Sequence, residues 1–160
     1  MSAMTKNEIL KDLKDRFGDS IGDIFEKSPK RIYIELKAEA LKKVAPHVFH
    51  NLGARFNIAT GTDLPGHMEI LYHFTFEDLN LIISFRVKLS KDKLEIDSLT
   101  PYFEAANWIE REINELLGIR FNGHPEMKRL LLPADWPEGV YPLRRDYKEW
   151  DKNAIRDRGV

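Results

Sequence analysis

The chain has 160 residues, and its 25 Lys and Arg against 26 Asp and Glu leave a formal net charge of −1 at pH 7. This near neutrality argues against a nucleic-acid-binding protein that depends on a broad cationic surface. The absence of cysteine excludes disulfide scaffolds, cysteine nucleophiles and thiolate metal sites, and it indicates a reducing compartment. The stretch 1–12 is polar and predicts no secretory signal, and no run approaches the roughly 20 apolar residues of a membrane helix.

The first predicted elements are a helix, a strand and a second helix. Thr5 with Glu8 three residues later forms a capping box, which predicts the start of the first helix. Residues 31–36 alternate between polar and apolar, as in a strand. Residues 38–52 have helical spacing, and Pro46 within them should kink or divide the helix.

The strongest β pattern follows. Residues 55–60 predict a short strand that ends in a turn-rich run, and strict alternation over 68–76 and 81–89 predicts an antiparallel hairpin. Residues 94–99 predict one more strand. With helices before and after these strands, the sequence predicts an α+β fold in which an antiparallel β-sheet packs with helices on one side.

A third helix is predicted from Thr100 and Pro101 to Gly118. Its apolar stripe places Glu112 at an edge, where a partly desolvated carboxylate needs an arginine or several amide donors. Glu110 flanks the other side of the stripe. An ordinary solvated helix surface is the alternative interpretation.

The C-terminal segment, residues 119–160, is rich in proline and aromatic residues and lacks regular periodicity. We expect residues 1–118 to form the α+β domain, and beyond it only 125–131, with proline at its start, is compatible with a helix. Such an apolar segment must lie against a surface. It either wraps over its own sheet or docks on another subunit, and we favour docking.

No catalytic constellation stands out in the sequence. It has no Gly-rich phosphate loop and no GxSxG nucleophile turn. His47 and His50 have metal-ligand spacing but no evident third ligand, so polar helix-face histidines are the preferred interpretation. His124 precedes Pro125 and is expected to have a local structural role. The alternative is a free-standing enzyme that uses His124 with neighbouring carboxylates.

A run of motifs between Ala106 and Asp146 indicates a family. The Glu110–Arg111–Glu112 triplet is followed by a Gly-Ile pair, by Gly-His-Pro at 123–125 and by Pro-Leu-Arg-Arg-Asp at 142–146. In this order the motifs resemble the thirty-kilodalton (C-type) subunit of respiratory complex I and the equivalent subunit of membrane-bound energy-converting nickel–iron hydrogenases.

The resemblance implies a non-catalytic structural subunit in the hydrophilic arm of a redox-driven, ion-translocating oxidoreductase. Such a subunit holds no cofactor itself. The expected partners are a hydrogenase-like or quinone-site large subunit and iron–sulfur subunits, which carry iron–sulfur clusters, with nickel–iron as a further candidate. We expect a cytoplasmic protein that is peripheral on the inner face of the cell membrane and reaches the membrane only through the complex.

The expected partner-binding residues come from the same motifs and from the aromatic residues of the C-terminal segment. They are Glu110, Arg111, Glu112, His124, Pro125, Arg129, Trp136, Tyr141, Arg144, Arg145, Asp146 and Trp150.

The chain also departs from the complex I pattern. Asn114 and Glu115 stand where complex I members often have Tyr-Asp, and residues 136–145 look closer to the equivalent hydrogenase component. The departures leave open the electron donor, the electron acceptor and the ion pumped. A generic adaptor unrelated to redox complexes is a further alternative.

Overall fold

The computed structural model describes residues 4–148 of the chain. A five-stranded sheet with helices on one face forms the body, which confirms the predicted α+β class. The helices are α1 (Lys6–Phe17), α2 (Leu41–Pro46) and α3 (Asn107–Leu117). The strands are β1 (Ile21–Ser28), β2 (Arg31–Leu36), β3 (Arg55–Leu64), β4 (His67–Phe76), β5 (Leu81–Ser90), β6 (Glu95–Asp97) and β7 (Arg120–Asn122).

The strand order of the main sheet is β1-β2-β5-β4-β3. The β4–β5 hairpin has the predicted antiparallel register, with Tyr72 opposite Phe85. β2, however, lies parallel to β5, so the sheet is mixed rather than purely antiparallel. No sequence pattern predicted β1, because this edge strand is largely exposed and carries Asp23, Glu26 and Lys27 in place of an apolar alternation.

One face of the sheet forms the core. Every second residue of β4, from Met68 to Phe76, is buried, and β5 supplies the matching row from Leu81 to Leu89. Ile9 of α1 and Val44 of α2 belong to the same buried cluster. The opposite face alternates with polar residues, as expected for an antiparallel sheet covered on one side.

The bounds of β3 and α2 differ from the predicted ones. β3 continues through the predicted turn to Leu64, because its residues up to Leu64 pair with β4. α3 crosses the strand at Gly61, where a Cβ atom would lie 2.7 Å from Leu117 Cδ1. α2 ends at Pro46 and the chain continues as a π-turn over His47–Asn51, which confirms that the proline divides the predicted helix.

The third helix begins later than predicted. Thr100 cannot cap it, since its Oγ1 donates to Glu110 instead, and a 3₁₀ turn over Glu104–Ala106 precedes α3. The predicted strand near residue 95 exists as β6, but it pairs in parallel with β7. β7 brings buried Phe121 into the core, and the chain then runs along α3. The division of the chain at residue 118 stays a prediction.

Candidate partner-docking site

Glu110 is the buried carboxylate of α3, with none of its surface exposed. Its oxygens accept hydrogen bonds from Ser98 Oγ at 2.5 Å, Leu99 N at 2.6 Å and Thr100 Oγ1 at 2.9 Å. Burial raises the pKa of Glu110, and these donors oppose the increase. The donors tie the start of α3 to the chain that follows β6.

The helical period placed Glu112 correctly at an edge but did not identify Glu110 as the buried carboxylate. Glu112 is half-buried, whereas Glu110 points into the protein, so neither interpretation of Glu110 as an edge or solvated residue is correct. Among the residues that the structure describes, no ion pair joins Glu112 to an arginine. The carboxylate of Glu110 is satisfied by hydroxyl and amide donors, not by a guanidinium group.

His124 lies against the first turn of α3, and only 1% of its side chain is exposed. Its Nδ1 accepts a hydrogen bond from the Glu126 amide at 3.1 Å, which places the ring proton on Nε2. Nε2 donates to the Asn107 carbonyl at 3.2 Å and lies 4.0 Å from Glu110 Oε2. Both ring nitrogens therefore hold the main chain, and no substrate can reach them. Pro125 follows at the surface.

Arg111 fastens the C-terminal segment to the middle of α3. Its Nε donates to the Lys128 carbonyl at 3.0 Å, and its Nη2 donates to the Arg129 carbonyl at 2.9 Å. A planar guanidinium group suits two adjacent acceptors of this kind. The side chain therefore holds this chain's own backbone.

Glu115 makes the corresponding contact one turn further along α3. Its Oε1 accepts from the amides of Leu130 at 3.2 Å and Leu132 at 3.0 Å, and its Oε2 accepts from the Leu131 amide at 2.8 Å. Sequence reasoning missed this role and noted Glu115 only as a departure from the Tyr-Asp pattern. Donors fifteen to seventeen residues away leave no local signal.

These contacts also explain why residues 125–131 are not helical, although their sequence is compatible with a helix. A helix over this stretch would need the amides of 130 and 131 for its own hydrogen bonds. Here Arg111 and Glu115 hold the carbonyls of 128–129 and the amides of 130–132.

Arg129 and Trp136 shape the loop that follows. Arg129 donates to the Pro133 carbonyl at 2.8 Å and to the Trp136 carbonyl at 2.5 Å. The Trp136 indole N–H donates to the Val140 carbonyl at 2.8 Å, and its ring stacks on Tyr147 with 6.3 Å between centroids. The loop is thus closed by its own side chains.

The segment returns to the C-terminal end of α3 at Arg144. Arg144 Nε donates to the Leu117 carbonyl at 2.8 Å, and its guanidinium lies 4.2 Å from the centroid of the Tyr141 ring. A cation suits this end of a helix, where carbonyls lack partners. Gly118 has φ +75°, and a Cβ atom there would lie 2.5 Å from Arg144 Nη2.

The last described contacts join the segment to the sheet. The Arg145 amide donates to Asp63 Oδ2 of β3 at 2.9 Å, and Lys91 Nζ lies 2.6 Å from Asp63 Oδ1. Burial would raise the pKa of Asp63, but hydrogen bonds from Lys91 and Arg145 lower it below its ordinary value. Asp146 is exposed. Trp150 lies outside the described residues.

Several apolar side chains remain in solvent around this unit. The exposed fractions are 69% for Trp108 of α3, 59% for Leu131 and Leu143, and 38% for Met127. An open cavity of about 410 Å³ lies between α3 and the segment, with Asn114, Glu115, Trp136 and Tyr141 among the residues that line it. A segment held by its own polar contacts thus presents apolar groups outward.

Residues 4–148 offer neither a metal site nor a membrane-spanning helix. That part of the chain has no cluster of three or more His, Asp or Glu residues that could hold a metal ion. His47 instead lies 2.7 Å from Asp12, and His50 bonds to the Tyr102 carbonyl. None of the described helices is both long enough and apolar enough to cross a bilayer.

Sequence comparisons give one family and several relatives. The family described as "Respiratory-chain NADH dehydrogenase, 30 Kd subunit" matches residues 34–153. The C component of F(420)H(2) dehydrogenase of Methanosarcina mazei is 32% identical over 159 residues, which cover 96% of this chain and 99% of that protein. Hydrogenase-4 component G of Escherichia coli is 32% identical over 146 residues, 89% of this chain and 26% of its own length. The C/D component of NADH-quinone oxidoreductase of Klebsiella pneumoniae is 32% identical over 154 residues, 87% of this chain and 25% of its own length.

Solved structures share the fold. The membrane-bound sulfane sulfur reductase, described as an archaeal respiratory membrane complex, includes a chain that matches with a TM-score of 0.78 at 18% identity, covering 94% of this chain and 96% of that one. A trypsin-resistant fragment of Nqo5 matches with a TM-score of 0.61 at 21% identity, covering 74% of this chain and 98% of the fragment.

Proposed function

Because the chain belongs to the family of the 30 Kd subunit of respiratory-chain NADH dehydrogenase, we propose that it is a non-catalytic structural subunit that docks on a large subunit of the hydrogenase-like or quinone-site type. It acts within the hydrophilic arm of a redox-driven, ion-translocating complex. The iron–sulfur clusters, with nickel–iron as a further candidate, belong to the partner subunits. The chain reaches the inner face of the membrane through those partners.

The observation that carries this proposal is the length of the relatives. The chain spans about a quarter of hydrogenase-4 component G and of the Klebsiella C/D protein, so both relatives join a homologous region to a longer remainder. The C component of F(420)H(2) dehydrogenase, by contrast, is covered over 99% of its length and carries no such remainder. We infer that a family member of this kind finds the equivalent of the remainder on a separate partner.

The geometry supports different roles for the residues in and around the proposed docking site. Arg111, Arg129 and Arg144 contact the carbonyls of their own chain, so they shape the surface. Exposed Arg145 and Asp146 provide polar contacts to the partner, together with half-buried Glu112. Trp108, Leu131 and Leu143 are the apolar anchors of the docking site, because large apolar side chains that are exposed on the free chain gain free energy when a partner buries them.

The alternative of a free-standing enzyme has little support. It required His124 to act with carboxylates, and the Glu110 carboxylate, 4.0 Å from its ring, is buried. Both nitrogens of His124 already bind main-chain atoms.

The test is purification of the tagged full-length chain from its own membranes in mild detergent. We expect a large subunit of the stated type, identified by mass spectrometry, together with iron–sulfur proteins. Leu131→Asp should remove the large subunit. Phe25→Asp is the matched control, since Phe25 on β1 is also 59% exposed, and it should leave recovery unchanged. Recovery of the chain alone, or loss of the partner only with Phe25→Asp, would contradict the proposal.

A further inference from the structure

The carboxylate of Glu115 is buried, with 8% of the residue exposed, and it accepts hydrogen bonds from three consecutive amides. Three adjacent N–H groups that converge on one anion form a nest, and hydrogen bonds to an ionised acceptor are stronger than those between neutral groups. The stretch 130–132 has no helix or strand of its own. Its three backbone amides are therefore held by this one side chain.

Neighbouring contacts also hold the C-terminal segment against α3. His124 meets Asn107, Arg111 holds the carbonyls of 128–129, and the Leu143 amide donates to the Leu116 carbonyl at 3.1 Å. The segment thus follows α3 from its first turn to its last, and each of these contacts lies within this one chain. No partner atom is needed to complete any of them.

This arrangement leaves the apolar side chain of Leu131 exposed on a fixed main chain. Its amide is bound to Glu115, whereas 59% of the residue is exposed. An apolar side chain on a fixed main chain is a preorganised contact, which loses less conformational entropy on binding than one on a mobile loop.

We propose that Glu115 is a positioning residue that preforms the docking site, holding residues 130–132 in their bound conformation before a partner is present. The segment is thus ordered by α3 rather than by the neighbouring subunit. The identity of the partner rests on the proposed function, but the order of the free segment does not.

The experiment is amide hydrogen exchange of the full-length chain, alone and in the co-purified complex. In the free wild-type chain we expect the amides of Leu130, Leu131 and Leu132 to be protected as they are in the complex. Glu115→Gln, which has nearly the same shape but no charge, should speed their exchange by at least about tenfold. Amides of the β4–β5 hairpin serve as the internal reference and should not change, which separates local positioning from a general loss of stability.

Glu39→Gln is the matched control, because Glu39 is an exposed glutamate on the turn before α2. It should leave exchange at 130–132 at the wild-type rate. The proposal is overturned if the free wild-type chain exchanges these amides as fast as Glu115→Gln does and gains protection only in the complex. If the purified chain brings no large subunit with it, the proposed function fails, whereas protection in the free chain would still support the role of Glu115.

Discussion

At the scale of single residues, Glu110 and Glu112 show how position on a helix decides the environment of a carboxylate. Two residues apart, they diverge by about 200° around the helix axis, so only one can face inward. The donors that stabilise Glu110 come from residues 98–100, in the chain that leads to α3. Ile109 and Leu116, two apolar residues of α3, are only half-buried.

Stability should depend on pH through Glu110. Because burial raises its pKa, the folded protein binds this proton more tightly than the unfolded chain does. The resulting stabilisation is present below the unfolded pKa and is lost as the pH rises through the folded pKa. Urea unfolding from about pH 4 to about pH 7 should show wild type losing stability relative to Glu110→Gln, which cannot titrate. A difference that stays constant or grows in favour of wild type would contradict this.

At the scale of elements, α3 and the C-terminal segment behave as one unit. An irregular chain must still satisfy its backbone amides and carbonyls, and here the side chains of a neighbouring helix do so. Arg111, Glu115 and the carbonyl of Leu117 are the successive points of attachment. This is why the proline-rich composition of the segment is compatible with an ordered structure.

Arg111→Lys should loosen this unit. The guanidinium group reaches two carbonyls at once, whereas an ammonium group binds as a point charge and leaves one of them without its partner. We expect a loss of about 1 kcal/mol in the free energy of unfolding, measured by urea denaturation. Arg55→Lys is the control, since Arg55 makes an exposed ion pair with Glu77, and its change should stay within about 0.5 kcal/mol. Equal losses of unfolding free energy in the two variants would rule out a special role for the two hydrogen bonds of the Arg111 guanidinium group.

At the scale of the whole molecule, Asp63 joins three parts of the fold. It lies on β3, pairs with Lys91 just after β5, and accepts from the Arg145 amide of the C-terminal segment. Only 5% of its side chain is exposed. The buried carboxylate of Asp63 therefore joins the sheet to the last described part of the C-terminal segment.

Asp63→Asn should lower the free energy of unfolding by about 1–3 kcal/mol near neutral pH. The pKa of Asp63 is lowered in the folded state, so its stabilisation is present above the unfolded pKa and is lost as the pH falls through the folded one. Thermal or urea unfolding in acid should therefore bring the variant and wild type together, the opposite trend to Glu110→Gln. A gap that persists at low pH would show that the charge is not responsible.

The elements with local signals could be predicted from the amino-acid sequence, and so could the family. Strict alternation located β4 and β5, Pro46 divided the second helix, and the ordered motifs from 106 to 146 indicated the family that the comparisons show. Each of these signals depends on neighbouring residues or on a fixed order of residues.

The contacts between residues far apart in the sequence could not be predicted in this way. The tertiary structure placed β2 parallel to β5, added the polar edge strand β1, buried Glu110 and gave Glu115 its three amides. The reason is physical. Helical or strand period fixes the direction of a side chain within its own element, but the donors and acceptors that satisfy a buried charge come from segments whose position depends on how all the elements pack.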